Sequence, residues 1–558
     1  MRVVSIRGAP SFRPSTPQPT TPTLPAPSFR PEQTDFFLPR SLPANASVCV
    51  VEESLFDCAP VPLPRHTIMQ RSLRCRIVGR CVYRIVKIMS LLLALPFLVH
   101  ESVLAQANLP DTPAASQLSA WLAAFNTGDR TILLKFLEKN EPDRVSHVDE
   151  TMGFRARTGG FDIQRVMECA ELSCIVVVKE RNSEQLGQIA IEVDPTPAHL
   201  IKQMQTRATR GPTDSSVSRM TESEAVSAFK ARLETDASEG KFSGAAMIAK
   251  NGVPIFSSAY GLANRETHIP NRLDTKFRIG SMNKMFTATS IVQLAQAGKL
   301  NLDDPLIKYL PDYPNKAFAA KVTIHQLLTH TGGAGDIFGP EFEQHRLELR
   351  TLQDYVKLYG KRGATFEPGS HWDYSNYGFI LLGRIVEKAS SQDYYEYVRE
   401  NIFHPAGMNS TDSLPEDQAV ANRSIGYMSQ GDSKDSRPND GTLPYRGSSA
   451  GGGYSTVGDL LAFANALVGH KLLDAEHTTL LTTGKVDTPR GDKYAYGFSD
   501  EVTPGGIRCF GHGGGAPGMN GELKICMPSG YVIIVLANVD PPAATGIADF
   551  AASRLPNR

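Results

Sequence analysis

Ser281 and Lys284 stand three positions apart at the head of an apolar helical pattern. That spacing is about one helical turn, so a hydroxyl and an amine share one side of the helix. Serine is a poor nucleophile at neutral pH and needs a base beside it. Lys284 meets that need if burial or neighbours lower its pKa from about 10.4. On a helical wheel Asn283, Thr287, Ser290, Gln293 and Ala297 form the polar or small face, while Lys284 shares a stripe with Ala288, Ile291 and Ala295. A lysine turned to the inner side must be paired or lose its proton, and either outcome suits serine activation. Tyr374, in Tyr374-Ser375-Asn376, is a second candidate base if a nearby cation lowers its phenol from about 10. A helix N-terminus at Ser281 adds N–H groups for a developing oxyanion. His512-Gly513-Gly514 forms a third polar element far along the chain.

Chemistry of this kind needs these segments held together. Thr221 and Glu224 spell a capping box that opens a helix to about Thr235. Gly244–Lys250 and Val253–Tyr260 read as strands joined by Asn251-Gly252, a hairpin signal. The Ser281 helix stops at Gly298. Helical patterns follow over Thr323–Thr329, Leu352–Tyr359, Tyr377–Ala389 and Gly458–Val468. Strands are predicted at Ile507–His512, Glu522–Cys526 and Tyr531–Asn538, and a last helix at about Pro542–Leu555. Strands at both ends with helices between predict an α+β fold: one antiparallel sheet built from distant segments, with a helical lobe on one side and a cleft at the seam.

The segments Phe277-Arg278-Ile279-Gly280-Ser281-Met282-Asn283-Lys284, Leu327-Leu328-Thr329-His330-Thr331-Gly332-Gly333, Pro368-Gly369, Tyr374-Ser375-Asn376, Gly451-Gly452-Gly453-Tyr454-Ser455-Thr456 and Gly511-His512-Gly513-Gly514 resemble the serine β-lactamase and penicillin-recognising family. The resemblance lies with the branch of class C β-lactamases, DD-carboxypeptidases, D-aminopeptidases and related esterases, and covers residues 220–558. It implies a β-lactamase-like fold and an acyl-enzyme on Ser281, with Lys284 and Tyr374 moving the proton. It implies that Asn376 binds the substrate amide or holds Lys284. His512 takes the place of a lysine on an edge strand facing the cleft. The N–H groups of Ser281 and Gly515 form the oxyanion hole, and Gly513 and Gly514 line the substrate. Two departures bear on substrate: His512 in place of lysine is a feature of peptidase and esterase branches, and Gly513 lacks a hydroxyl that helps bind a carboxylate. The expected activity is hydrolysis of an amide or ester (D-peptide, carboxylic ester or β-lactam). The alternative is a sensor or scaffold that acylates once. No cofactor and no metal are expected.

Other residues read as structural. His325 and His330 are five apart, which does not place a metal pair on one helix face. Gly447-Ser448-Ser449-Ala450-Gly451 matches a nucleophile-elbow pattern, but a polar loop with Pro438 and Pro444 precedes it instead of an apolar strand. Gly513-Gly514-Gly515-Ala516-Pro517-Gly518 matches a dinucleotide-binding pattern that Pro517 breaks before any helix. Asn376 could also cap a helix.

The 558 residues carry zero net charge, so nothing electrostatic points to nucleic acid. The expected partner is a small-molecule or peptide substrate, peptidoglycan fragments included. Residues 10–64 are rich in Pro, Ser and Thr and cannot build a core. Arg80, Arg84 and Lys87, the apolar run Ile88–Val99, and Ala105-Gln106-Ala107 have the layout of a secretory signal cleaved after Ala107. The run falls short of the roughly 20 residues of a membrane span, so no span is expected after cleavage and the mature protein is expected outside the cytoplasm, secreted or periplasmic. Met69 or Met89 is the expected start of translation. Residues 1–107 are thus leader, 108–212 a small α+β module, 213–220 a linker and 221–558 the hydrolase domain. In the module, helical periodicity runs over Ala114–Lys139, and Phe161–Val166, Cys174–Lys179 and Gln188–Val193 read as strands. Cys169 with Cys174, and Cys509 with Cys526, are placed to pair in an oxidising compartment; sequence leaves their redox state open.

Overall fold

The structure is a computed structural model and describes residues 109–181, 186–209, 219–430, 433–503 and 506–557. The leader and most of the linker lie outside them. No helix of the described residues is long and apolar enough to cross a membrane.

The first unit begins with helix α1 (Pro113–Thr127), where one helical segment to Lys139 was expected. Gly128, at φ +69°, ends α1, and the Asp129 side chain caps the next helix, α2 (Arg130–Asn140). A third helix, α3 (Val148–Thr158), escaped the sequence reading because its apolar stripe is weak. Strands β1 (Phe161–Cys169), β2 (Ser173–Glu180), β3 (Leu186–Val193) and β4 (Ile201–Thr209) form an antiparallel sheet in that order. The polar composition of β4 hid it. Trp121, Phe125, Leu133 and Phe161 fill the core with Val176, Val178 and Ile191. A Cys169–Cys174 disulfide closes the β1–β2 turn.

The second unit opens with α4 (Glu222–Ser238), whose capping box of Thr221 and Glu224 is formed. Strands β5 (Gly244–Lys250) and β6 (Val253–Tyr260) follow, turning at Asn251 and Gly252, both at positive φ. The helical lobe supplies α5 (Asn283–Gln296), α6 (Ile324–Leu328), α7 (Leu352–Tyr359), α8 (Asn376–Ser390), α9 (Tyr394–Val398) and α10 (Val457–Val468). Then come β7 (Val486–Asp487), β8 (Lys493–Tyr494), β9 (Ser499–Val502), β10 (Arg508–Ala516), β11 (Met519–Met527) and β12 (Tyr531–Ala537). Helix α11 (Thr545–Arg554) closes the unit.

The sheet order is β7-β8-β9-β10-β11-β12-β5-β6, all antiparallel, with Gly244 opposite Ala537. Segments from the two ends of the unit therefore lie side by side, as the strand pattern predicts. Strand β12 is buried along its whole length because both sheet faces are covered. Its Val532, Ile534 and Leu536 join the helical-lobe core, while Ile533 and Val535 join Phe229, Leu233, Ile547 and Ala551 from α4 and α11.

Two expectations are corrected. Strand β10 is not a sheet edge, since β9 pairs with Arg508–Gly511. Strand β9 is short, so residues 512–516 run past its end without a partner from β9. Second, α5 has no solvent face at Asn283, Thr287 or Ser290: all three are buried. The helix sits centrally, and its polar groups are satisfied internally. Thr287 Oγ1 bonds Tyr394 Oη and donates to the Ser449 carbonyl, each at 2.7 Å, and Ser290 Oγ donates to the Phe286 carbonyl at 2.9 Å.

Candidate active site

Ser281 lies in a single 3₁₀ turn, Gly280–Met282, that leads into α5. Gly280 has φ +53°, and a Cβ there would stand 3.1 Å from the Gly515 nitrogen. On β10, a Cβ at Gly514 would fall 1.9 Å from the Ile279 carbonyl oxygen and 3.0 Å from the Ser281 nitrogen. The turn and the strand therefore pack backbone against backbone, an approach only glycine permits. This contact brings the amides of Ser281 and Gly515 into one neighbourhood.

Lys284 is fully buried. Its Nζ donates to Asn376 Oδ1 at 2.7 Å and to the Ala450 carbonyl at 2.5 Å, and lies 3.4 Å from Ser281 Oγ. It also stands 4.6 Å from the centre of the Tyr374 ring and 5.3 Å from that of Phe379. Burial lowers this amine to about 7, against a smaller upward pull from the Asp336 carboxylate.

Asn376 opens α8, but Ser375 is the N-cap, its Oγ accepting from the Gly378 N–H at 2.9 Å. Asp336 Oδ1 accepts from Asn376 Nδ2 at 2.9 Å and from its main-chain N–H at 3.3 Å. The carboxylate can only accept, so it turns the amide NH₂ towards itself and Oδ1 towards Lys284. Sequence reading missed Asp336, which lies in a glycine-rich loop without periodicity. It also missed Ala450, whose contribution is a main-chain carbonyl inside the set-aside nucleophile-elbow match.

The Tyr374 hydroxyl hydrogen-bonds Ser281, and burial raises the phenol well above its usual range. The condition for a tyrosine base is not met: the Lys284 amine lies over the ring face and is itself the more easily deprotonated group.

His512 points into the same cluster, its ring centre 6.3 Å from that of Tyr374. Its Nδ1–H donates to the Gly513 carbonyl, and Nε2 accepts from Tyr494 Oη at 3.0 Å. Burial, reinforced by Lys284, lowers the imidazole to about 3, so it is neutral with both nitrogens engaged. Tyr494, on the two-residue strand β8, carried no strand signal. Gly513 alternates to the far face, where a Cβ would meet Glu522 Oε2 at 2.4 Å. A hydroxyl at 513 would therefore not reach the cleft, and Gly513 contributes only main chain.

A serine on a glycine-lined turn, an amine buried behind it and a phenol in front define a serine hydrolase. The chain belongs to the β-lactamase family, whose model matches residues 226–557. It is 32% identical over 309 residues to the penicillin-binding protein PbpX of Bacillus subtilis (strain 168), covering 55% of this chain and 73% of that one. Esterase EstB of Burkholderia gladioli is 34% identical over 176 residues, 29% of this chain and 45% of that protein. A crystal structure of a penicillin-binding protein from Bacillus halodurans superposes with a TM-score of 0.52 at 36% identity, covering 57% of this chain and 98% of that one.

The close approach of strand and turn yields a direct expectation. Gly514→Ala must displace Ser281 from β10, and acylation by a fluorophosphonate should slow at least about 100-fold while the far-UV spectrum is retained. Labelling at the wild-type rate would show that the contact does not position the nucleophile.

Proposed function

We propose that this chain is a secreted or periplasmic hydrolase that cleaves an ester or a neutral amide through an acyl-enzyme on Ser281. The observation that carries the reading is the hydrogen bonding of Lys284. A neutral amine has two N–H donors and one lone pair. Asn376 and Ala450 take the two donors, which leaves the lone pair for the Ser281 hydroxyl. Lys284 then accepts the Ser281 proton as Oγ attacks the carbonyl carbon. The N–H groups of Ser281 and Gly515 receive the oxyanion. Tyr374, bonded to Ser281, gives its proton to the leaving group and is reprotonated from Lys284. In the second half-reaction water attacks the acyl carbon and the proton passes back along the same route.

The substrate follows from what faces the cleft. His512 is uncharged with both nitrogens occupied, and position 513 offers no side chain to a carboxylate. Both features favour a neutral acyl donor, and the likeness to an esterase supports this. The likeness to penicillin-binding proteins favours a second reading, a sensor acylated once by a β-lactam.

Purified protein should be offered short-chain p-nitrophenyl esters, D-amino-acid anilides, a D-Ala-D-Ala peptide and nitrocefin. Steady turnover of the esters, abolished in Ser281→Ala, is expected. One stoichiometric burst without turnover supports the sensor, and a folded protein that no fluorophosphonate labels at Ser281 refutes both.

Since the neutral amine is the active form, kcat/KM should rise with pH to a plateau, with a midpoint near 7. Asp336→Ala removes the carboxylate that holds the amine up, so the midpoint should move to lower pH. A midpoint near 10 would show that Lys284 keeps the value of an ordinary solvated lysine and is not held as a neutral base.

Two disulfides, Cys169–Cys174 and Cys509–Cys526, support an oxidising compartment. N-terminal sequencing of the exported protein should begin at Asn108, and protein retaining residues 88–107 would count against cleavage there.

A further inference from the structure

His330 follows α6 and is 1% exposed, with φ at +60°. That backbone region is uncommon for any residue but glycine, and Asn, Asp and His tolerate it best. Two hydrogen bonds use the conformation. The His330 carbonyl accepts from the Asp373 N–H at 2.9 Å, and its Nδ1 accepts from the Ser375 N–H at 3.0 Å. The residues on either side of Tyr374 are thus anchored to one histidine. The imidazole also lies against the phenol, ring centres 4.3 Å apart, and is walled by Trp372, Phe379 and Tyr494.

The tautomer follows from the acceptor. Nδ1 must be unprotonated to take the Ser375 N–H, so the ring hydrogen sits on Nε2, a buried atom with no hydrogen-bond partner. The Ser375 amide selects this tautomer. Burial, then Lys284 and His512, keep the ring neutral. Asp373 and Ser375 are spaced so that their amides clamp Tyr374 between them, and the Ser375 hydroxyl continues the restraint by donating to the Gly335 carbonyl.

We infer that His330 is a positioning residue for the catalytic phenol: through its carbonyl and Nδ1 it fixes the main chain on both sides of Tyr374 and so aims the hydroxyl at Ser281. It neither touches substrate nor transfers a proton. The inference rests on the acyl-enzyme reading, because only there does the aim of the Tyr374 hydroxyl limit turnover.

Two substitutions separate the acceptor from the ring. His330→Asn keeps an acceptor oxygen and tolerates the left-handed backbone; His330→Phe keeps an aromatic ring and removes the acceptor. With a p-nitrophenyl ester, H330F should lose about 10- to 100-fold in kcat with KM little changed, whereas H330N should stay within about fivefold of wild type. A role in packing alone predicts the opposite order, since the ring is what H330N lacks. Wild-type kcat in H330F, or a folded H330N as impaired as H330F, would overturn the inference. If H330F does not fold, H330N decides alone: folded and active it supports the acceptor role, folded and inactive it refutes it. Imidazole ¹⁵N spectra of the wild-type protein give a test without substitution, in which His330 must carry its proton on Nε2; a proton on Nδ1 ends the proposal. Fluorophosphonate labelling of wild-type Ser281 is read first, so that failure of the acyl-enzyme itself is told apart from failure of the His330 assignment.

Discussion

The burial of one amine organises this molecule. Lys284 has given up water for two carbonyl oxygens, a hydroxyl and two aromatic faces, with no carboxylate among the described residues in direct contact. An ammonium in such a place is poorly solvated and a free amine is not, so the proton is held weakly. The Asp336 carboxylate, hydrogen-bonded to Asn376, tempers the effect by its charge without forming an ion pair with Lys284. This arrangement keeps the amine close to neutrality instead of locking it as a cation. Each partner comes from a separate part of the chain: the turn before α5, the start of α8, and the loop before α10 at Ala450. Only a folded unit assembles them.

The sheet contributes through what it leaves out. Glycines at 280 and 514 let β10 lie against the nucleophile turn at main-chain distance, and the shortness of β9 leaves 512–516 without a partner from that strand. The far face of the same strand is sealed by α11 and by a buried ionic group in which Lys524 contacts Glu501 at 2.6 Å and Asp549 at 2.8 Å. Alternation along β10 then sorts its residues: His512 and Gly514 face the site, and Gly513 faces Glu522. His512 is held neutral between Tyr494 and its own strand, which sets the site apart from one with a cation at that position.

Much of the architecture is legible in sequence because side-chain periodicity reports burial. The Asn251-Gly252 hairpin, the Thr221 capping box and the all-apolar Tyr531–Ala537 strand each carry a local signal strong enough to place them. The helical wheel likewise turned Lys284 inward. The same wheel misjudged Asn283, Thr287 and Ser290, because small hydroxyls can be satisfied inside a core by carbonyls that no wheel displays. Asp336 and Ala450 were invisible for a related reason: one sits in an aperiodic loop, and the other acts through its main chain. His512 was placed correctly near the cleft, but its charge state depends on Tyr494, eighteen residues earlier on a strand of two residues. Contacts of that sort are set by tertiary register and leave no periodic trace.

The central claim, that Lys284 is poised to be a neutral base, is tested most directly by titrating its own amine. NMR of protein labelled at the lysine side chains, with the resonance assigned by Lys284→Arg, should show one lysine titrating near 7. A Lys284 resonance that titrates near 10, like a solvated lysine, would contradict the account.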